Sequence, residues 1–390
     1  MIRHQLILTL LGSFQLIPFV VRAAPQRSTR GQYFVYIGTY TKHGSKGIYV
    51  YRFDAKTGNL ASLGLAAETV NPSFIAASPN GKYLYAINET GHFDGEPTGA
   101  VSAFAISQGT GKLKFLNQVS SRGAGPAHVS VDKTGRYVLV ANYSAGNVAV
   151  FRVESDGSLG PSTGFAQHHG SSVNPKRQSK PYAHSIEVSP DNRFAISADL
   201  GTDKLLVYRF NQGSLSPANP PWATVKPGSG PRHFVFSPNG KFVYVISEMG
   251  STLTTFSYNA QNGSMREIHV VSTLPPDFKG ESTGAEVQIL PSGRFLYASN
   301  RGSDTIAVFA VGAATGELKP VEYAPVEGKV PRMFAIGPSG KYLVVANQNS
   351  ANVVVFRINP RSGRLTTTGQ QLKLDSPVCV AFVAAGREGD

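Results

Sequence analysis

The chain has 390 residues, 41% hydrophobic and 16% charged, with a formal net charge of +13. That balance excludes a disordered chain, and 41 glycines and 25 prolines beside 22 Phe and 16 Tyr favour many short strands over long helices. Lys and Arg are scattered, with no basic run or basic helix, so the charge reads as a solvated basic surface or a funnel for small anions; no nucleic-acid partner is expected.

The N-terminus carries Arg3 and then the apolar run Leu6–Val21, broken by Thr9, Gly12, Ser13, Gln15 and Pro18 and followed by the small residues Ala23 and Ala24. This is the layout of a signal peptide spanning residues 1–23, too short and too broken for a membrane span. No later stretch approaches transmembrane length, so a soluble, exported protein (periplasmic or secreted) is expected, with no membrane contact after cleavage.

From residue 31 onward a unit repeats. Its clearest copy is Gly230–Glu248, in which two apolar strands flank a Ser-Pro-Asn-Gly turn. Alternating β-branched and aromatic residues around Pro/Gly punctuation predict a hairpin. The turn position falls at Gly81, Gly135, Asn192 (in the glycine slot), Gly240, Gly293 and Gly340, recurring at about fifty residues. A third strand follows each hairpin, and in most units a fourth follows a Gly-x-Leu turn such as Gly111-Lys112-Leu113 or Gly363-Arg364-Leu365. Four strands per repeat predict a β-propeller blade. The chain ends supply a seventh: Tyr33–Tyr40, Gly47–Asp54 and Leu60–Val70 lack a first strand, and Pro377–Val383 is a first strand without followers. The predicted fold is all-β, one seven-bladed propeller of four-stranded antiparallel blades over residues 31–384, closed by the C-terminal strand. The single cysteine, Cys379, lies in that closing strand, cannot form an intramolecular disulfide and reads as a core residue.

A hairpin returns the chain to the end it left, so residues before each first strand and after each second strand share one face of the ring. Before the first strands stand Ser73, Ala127, His184, Arg232, Ala285 and Arg332, then Phe74, His128, Ser185, His233, Glu286 and Met333. After the second strands stand Glu89, Tyr143, Leu200, Glu248, Arg301 and Gln348, preceded by Asn88, Asn142, Asp199, Ser247, Asn300 and Asn347. A mouth rimmed by His, Arg and Glu is a natural small-molecule site. A strand-end Asn or Asp is more often a turn residue bonding its own backbone, and a single His more often structural. Convergence of several charges from neighbouring blades carries the argument.

Other chemistries find little support. Gly160–Gly164 and Gly280–Gly284 match the nucleophile-elbow pattern but do not join a strand to a helix. The adjacent pair His168-His169 does not naturally chelate one ion, so no metal is expected. No phosphate-binding or dinucleotide loop opens a helix, so no cofactor is expected.

The segments Asn71-Pro72-Ser73, Asn174-Pro175-Lys176-Arg177-Gln178, Ala183-His184-Ser185, Gly230-Pro231-Arg232-His233, Ser299-Asn300-Arg301-Gly302 and Ala346-Asn347-Gln348 resemble, in this order, the seven-bladed lactonase family. That family includes propeller-type 6-phosphogluconolactonases and fungal carboxymuconate cyclases. The resemblance implies a catalytic set of His184, Arg232, Glu248 and Arg301. In two respects the chain departs from it: Tyr182 stands where many relatives have a histidine, and a signal peptide is unexpected for a cytosolic sugar-phosphate lactonase.

The expected function is hydrolysis of a sugar or carboxylated lactone. Glu248 would be the base, Arg232 and Arg301 the anion and oxyanion binders, and His184 the acid. Flanking arginines should lower the Glu248 pKa, which weakens it as a base and leaves a purely electrostatic role open. Glu89, His128, Asn142, Arg177, His233, Glu286, Arg332 and Asn347 are expected to contact substrate, with the basic loop His168–Lys180 overhanging the mouth. A carboxymuconate-type cycloisomerase and a non-catalytic propeller that binds sugars or proteins remain open alternatives. Oligomeric state cannot be read from the sequence.

Overall fold

The computed structural model describes residues 31–386; the expected signal peptide lies outside them. Seven four-stranded antiparallel sheets form a ring. Blades I to VI are meanders over 75–120, 126–167, 183–224, 231–272, 283–325 and 331–373. In blade VII the strand Pro377–Ala384 pairs with Gln32–Thr39, which continues into Gly47–Asp54 and Leu60–Glu68. Tyr33 faces Ala384 and Ile37 faces Val380, so the closure expected from the two orphan ends is present.

The hairpin turns follow from backbone conformation. Gly240 has φ 68° and donates its N–H to the Ser237 carbonyl at 2.8 Å. Asn192 holds the same left-handed conformation, φ 61°, which asparagine tolerates better than other side-chain-bearing residues. Gly-x-Leu glycines serve a second purpose. A Cβ on Gly157 would lie 2.1 Å from the ring of Tyr83 in the preceding blade, so only glycine permits that approach. Tyr36, Tyr85 and Tyr297, buried on second strands, each donate a hydroxyl hydrogen bond to the carbonyl of such a glycine one blade on (Gly111, Gly157 and Gly363).

Among the described residues seven hydrophobic clusters hold the ring, each centred on the junction of two adjoining blades, with Met333 of blade VI also joining the one between blades VII and I. Phe194, Ile196 and Val207 of blade III, for example, pack with Phe234, Val243 and Val245 of blade IV. Cys379 is fully buried in the cluster between blades VII and I. First strands line the axis: the rings of Phe74, His128, His184 and His233 meet there with centroids 4.3–5.6 Å apart.

Candidate active site

One backbone device builds the mouth. In blades II to VI the first strand carries a register shift near its start, with Ala127, His184, Arg232, Ala285-Glu286 and Arg332 falling in the irregular stretch. A β-bulge breaks the strict alternation of side chains and re-aims them. Arg232 and His233 are consecutive, yet both reach the axis: Arg232 Nη1 lies 3.1 Å from His233 Nδ1.

Glu248 is the centre of the mouth. It leaves the strand Phe242–Ser247, and its own N–H donates to the Gly230 carbonyl at 2.7 Å. Its Oε2 meets Arg301 Nη2 at 2.9 Å, Arg232 Nε at 3.2 Å and His184 Nε2 at 3.8 Å. Its Oε1 accepts from Arg177 Nη2 at 2.6 Å. Burial alone would raise this carboxyl, but the guanidinium charges overturn that and hold it well below the usual carboxylate range. Burial and the charge of Arg232 depress His184, which is therefore neutral. Its Nδ1 is buried without a partner, so Nε2 is the ring atom facing Glu248.

Arg177 arrives on the loop between blades II and III. Asn174 Oδ1 accepts the backbone N–H of Lys176 and Arg177, and Gln178 Nε2 bonds the Leu200 carbonyl and Asp203. His168 Nδ1 sits 2.7 Å from Asp199 Oδ2, a buried pair that ties down the loop's start. Lys176 is exposed. The loop thus reaches into the mouth through Arg177.

Across the ring, Glu89 Oε2 accepts from Tyr40 and Ser73, and the Arg332 guanidinium lies over the Tyr40 ring. Three expected contact residues lie deeper than the rim. His128, His233 and Glu286 line an axial cavity of about 380 Å³ with Phe74, Glu187 and Met333. His233 Nδ1 is 2.8 Å from Glu286 Oε2. Each follows the rim position by one residue, and a strand advances about 3.3 Å per residue.

Asn142 and Asn347 are not in the mouth. Both are fully buried; Asn142 Nδ2 bonds Ser121 O and Asn147, and Asn347 Nδ2 bonds Val326 O. They tie the second strand to the segment leaving the fourth strand of the preceding blade, a longer-range bond than the own-backbone turn weighed against them above. Leu200, in the rim series, is also fully buried.

The site contains residues to which the sequence reading assigned no role. Tyr143 belongs to the rim series, and its ring lies 5.3 Å from that of His184 and 4.8 Å from Tyr182. Tyr40 ends the second strand of blade VII, where no turn mark precedes it to set the frame. Among the described residues no group of three or more His, Cys, Asp or Glu side chains is arranged to hold a metal.

This fold and charged mouth define a lactone-opening propeller. The family described as "Lactonase, 7-bladed beta-propeller" matches residues 34–382, and the chain belongs to that family. It is 40% identical to a 6-phosphogluconolactonase of Bacillus subtilis, covering 90% of this chain and 99% of the relative. A 6-phosphogluconolactonase of Formosa agariphila is 35% identical, over 77% of this chain and 86% of its own length. The solved structure of a periplasmic gluconolactonase of Pseudomonas aeruginosa superposes with a TM-score of 0.86 at 37% identity, over 91% of this chain and all of that one. The activity class is accordingly that of a 6-phosphogluconolactonase-like lactone hydrolase.

Proposed function

We propose that this chain hydrolyses a sugar lactone in the propeller mouth, with His184 taking the proton of the attacking water and Glu248 acting electrostatically. The observation that carries the reading is the convergence of Arg177, Arg232 and Arg301 on Glu248 beside a neutral histidine. A carboxylate held by three guanidinium groups is a poor base, and the geometry supports the other allocation. His184 Nε2 faces the mouth, and an imidazolium formed there would stand 3.8 Å from Glu248, the arrangement by which a carboxylate stabilises a base once it is protonated. The side chain of Arg232 is only 3% exposed and bonds the Ala285 carbonyl, so it braces the cluster. Arg301 and Arg177, 14% and 42% exposed, are placed to offer N–H donors to the oxyanion and to the leaving ring oxygen.

The names of the relatives support a sugar lactone as substrate. The periplasmic relative also supports export of this chain, with residues 1–23 as its signal peptide.

The test is steady-state hydrolysis of glucono-δ-lactone and 6-phosphoglucono-δ-lactone by wild type, His184→Gln and Glu248→Gln. Loss of a positioned base lowers kcat by about a hundred- to ten-thousandfold. The limb of the wild-type pH–rate profile that reports the base should vanish in His184→Gln and persist in Glu248→Gln, shifted to lower pH because the imidazolium has lost its neighbouring carboxylate. Wild-type rates in the His184 variant would sink the assignment.

A further inference from the structure

The repeat that gathers charges at the mouth gathers a second set on the opposite face. Each first strand starts at the mouth, so the turn into the second strand lies at the far end of the blade. One residue past the turn mark stand Lys82, Arg136, Arg193, Lys241, Arg294 and Lys341, and every one of them is exposed. Because they share one step of the repeat, they share one level along the axis and form a basic ring. Only two carboxylates occupy the same six turns. Asp132 is fully buried and accepts from the backbone N–H groups of Thr134, Arg136 and Tyr137. Asp191 lies 4.0 Å from Arg193; among the described residues no other member of the ring has a carboxylate in salt-bridge range.

A second tier of charge stands beside this ring. Arg52, Arg152, Arg209 and Arg357 are exposed near the ends of third strands, paired with Phe34, Tyr137, Phe194 and Tyr342 of the second strands. Arg136, Arg193 and Arg209 border one cleft of about 580 Å³, roomy enough for a phosphate headgroup and lined with the guanidinium forks that suit it.

The described chain also begins and ends on this face. The Ala55 N–H donates to the Gly31 carbonyl at 2.9 Å. Gly386 sits against Gln108, whose side chain donates to the Gly81 carbonyl in the turn of blade I. Residues 1–30, which precede Gly31, hold the apolar run Leu6–Val21 and then Arg22, Arg27 and Arg30. On the signal-peptide reading that run occupies the bilayer during export, which turns this face, and not the mouth, towards the lipid.

We propose that the face opposite the mouth docks on an anionic phospholipid surface, with its lysines and arginines against the headgroup phosphates and the mouth turned to the aqueous side. A flat bilayer meets a level ring of charges all at once, whereas a single extended polyanion would meet only part of it. This departs from the expectation that the cleaved chain makes no membrane contact, and it is independent of what the mouth hydrolyses.

The experiment is co-sedimentation of the chain from residue 24 onward, which keeps the whole propeller, with vesicles of phosphatidylcholine alone or with about one third phosphatidylglycerol. The chain should bind the mixed vesicles at low salt, leave them at about 1 M, where the Debye length is about 3 Å, and ignore phosphatidylcholine. Each basic side chain at an anionic surface strengthens attachment about fivefold. The variant carrying Lys82→Gln, Arg136→Gln and Lys241→Gln should therefore bind about a hundredfold more weakly. A control with the same net charge, Lys46→Gln, Lys226→Gln and Lys279→Gln on the mouth side, should stay within about threefold of wild type. The single variants Lys82→Gln and Lys241→Gln give the same reading in steps of about fivefold, should either triple variant lose its wild-type melting transition. Equal weakening by both sets would reduce the effect to net charge and overturn the proposal. So would equal binding to both kinds of vesicle, or retention on immobilised polyphosphate with no uptake by phosphatidylglycerol, which would assign the ring to a soluble polyanion.

Discussion

Replacing Glu248 by Gln would leave the guanidinium groups of Arg177, Arg232 and Arg301 facing one another without their shared counter-charge. Breaking a buried ion pair from one side costs about 3–5 kcal/mol, so the variant should melt well below wild type at neutral pH. Because the folded carboxyl releases its proton more readily than the unfolded one, its contribution is full above the unfolded value of about 4.3 and drains as pH falls through the folded value. The gap in Tm between wild type and Glu248→Gln should therefore narrow from about pH 6 to about pH 3; a constant gap would mean that the carboxylate is not held ionised. Glu286 runs the other way. Burial pushes its carboxyl up to about 8, so stability from its bound proton is full below about 4.3 and is lost as pH rises through the folded value. Glu286→Gln mimics the neutral acid and should gain Tm relative to wild type between about pH 5 and about pH 9, which differential scanning calorimetry would measure; a relative loss would place the charge on Glu286 in the native state. The four residues expected to be catalytic do meet in one cluster, and counting from the turn mark was enough to bring them to the same face. Depth was not legible in that count, because His233 and Glu286 differ from their rim neighbours only by one step along a strand. The burial of Asn142 and Asn347 was not legible for another reason: a frame locates a Cα, whereas local packing decides which way the side chain turns.

At the scale of the strand, the bulge at Arg232 explains more of the site than any single residue type, and it left no trace in the sequence. A register shift is a relation between two strands; nothing in Pro231-Arg232-His233 alone distinguishes it from regular alternation. The turns, in contrast, announced themselves through residues that tolerate positive φ, including Asn192 in a glycine's place. Closure was equally legible, since each chain end held strands that only the other could complete. Cutting the chain after residue 376 would expose the whole edge of Gln32–Thr39 and remove Val380, Cys379 and Val383 from the two clusters flanking blade VII. That truncation should abolish cooperative thermal unfolding by circular dichroism, whereas removing residues 387–390 alone should leave the transition where it is. A cooperative melt at the wild-type temperature without Pro377–Ala384 would show that the ring does not depend on the clasp.

For the molecule as a whole, the excess of basic residues predicts an effect on encounter rather than on chemistry. The Debye length contracts from about 30 Å at 0.01 M salt to about 8 Å at 0.15 M. Across that range kcat/KM for 6-phosphoglucono-δ-lactone should fall while that for glucono-δ-lactone holds, as stopped-flow or pH-stat assays would record; parallel behaviour would remove steering from the account. The join in blade VII also sets a schedule for synthesis. Gln32–Thr39 is among the first strands to leave the ribosome and is hydrogen-bonded by the last, Pro377–Ala384. At about 5–20 residues per second the intervening chain takes roughly 17 to 70 seconds to make, and until then the ring has an open seam. Six blades can each complete their four strands as they emerge, but the seventh waits for the end of translation, so the contact that closes the ring is the last one the chain can make.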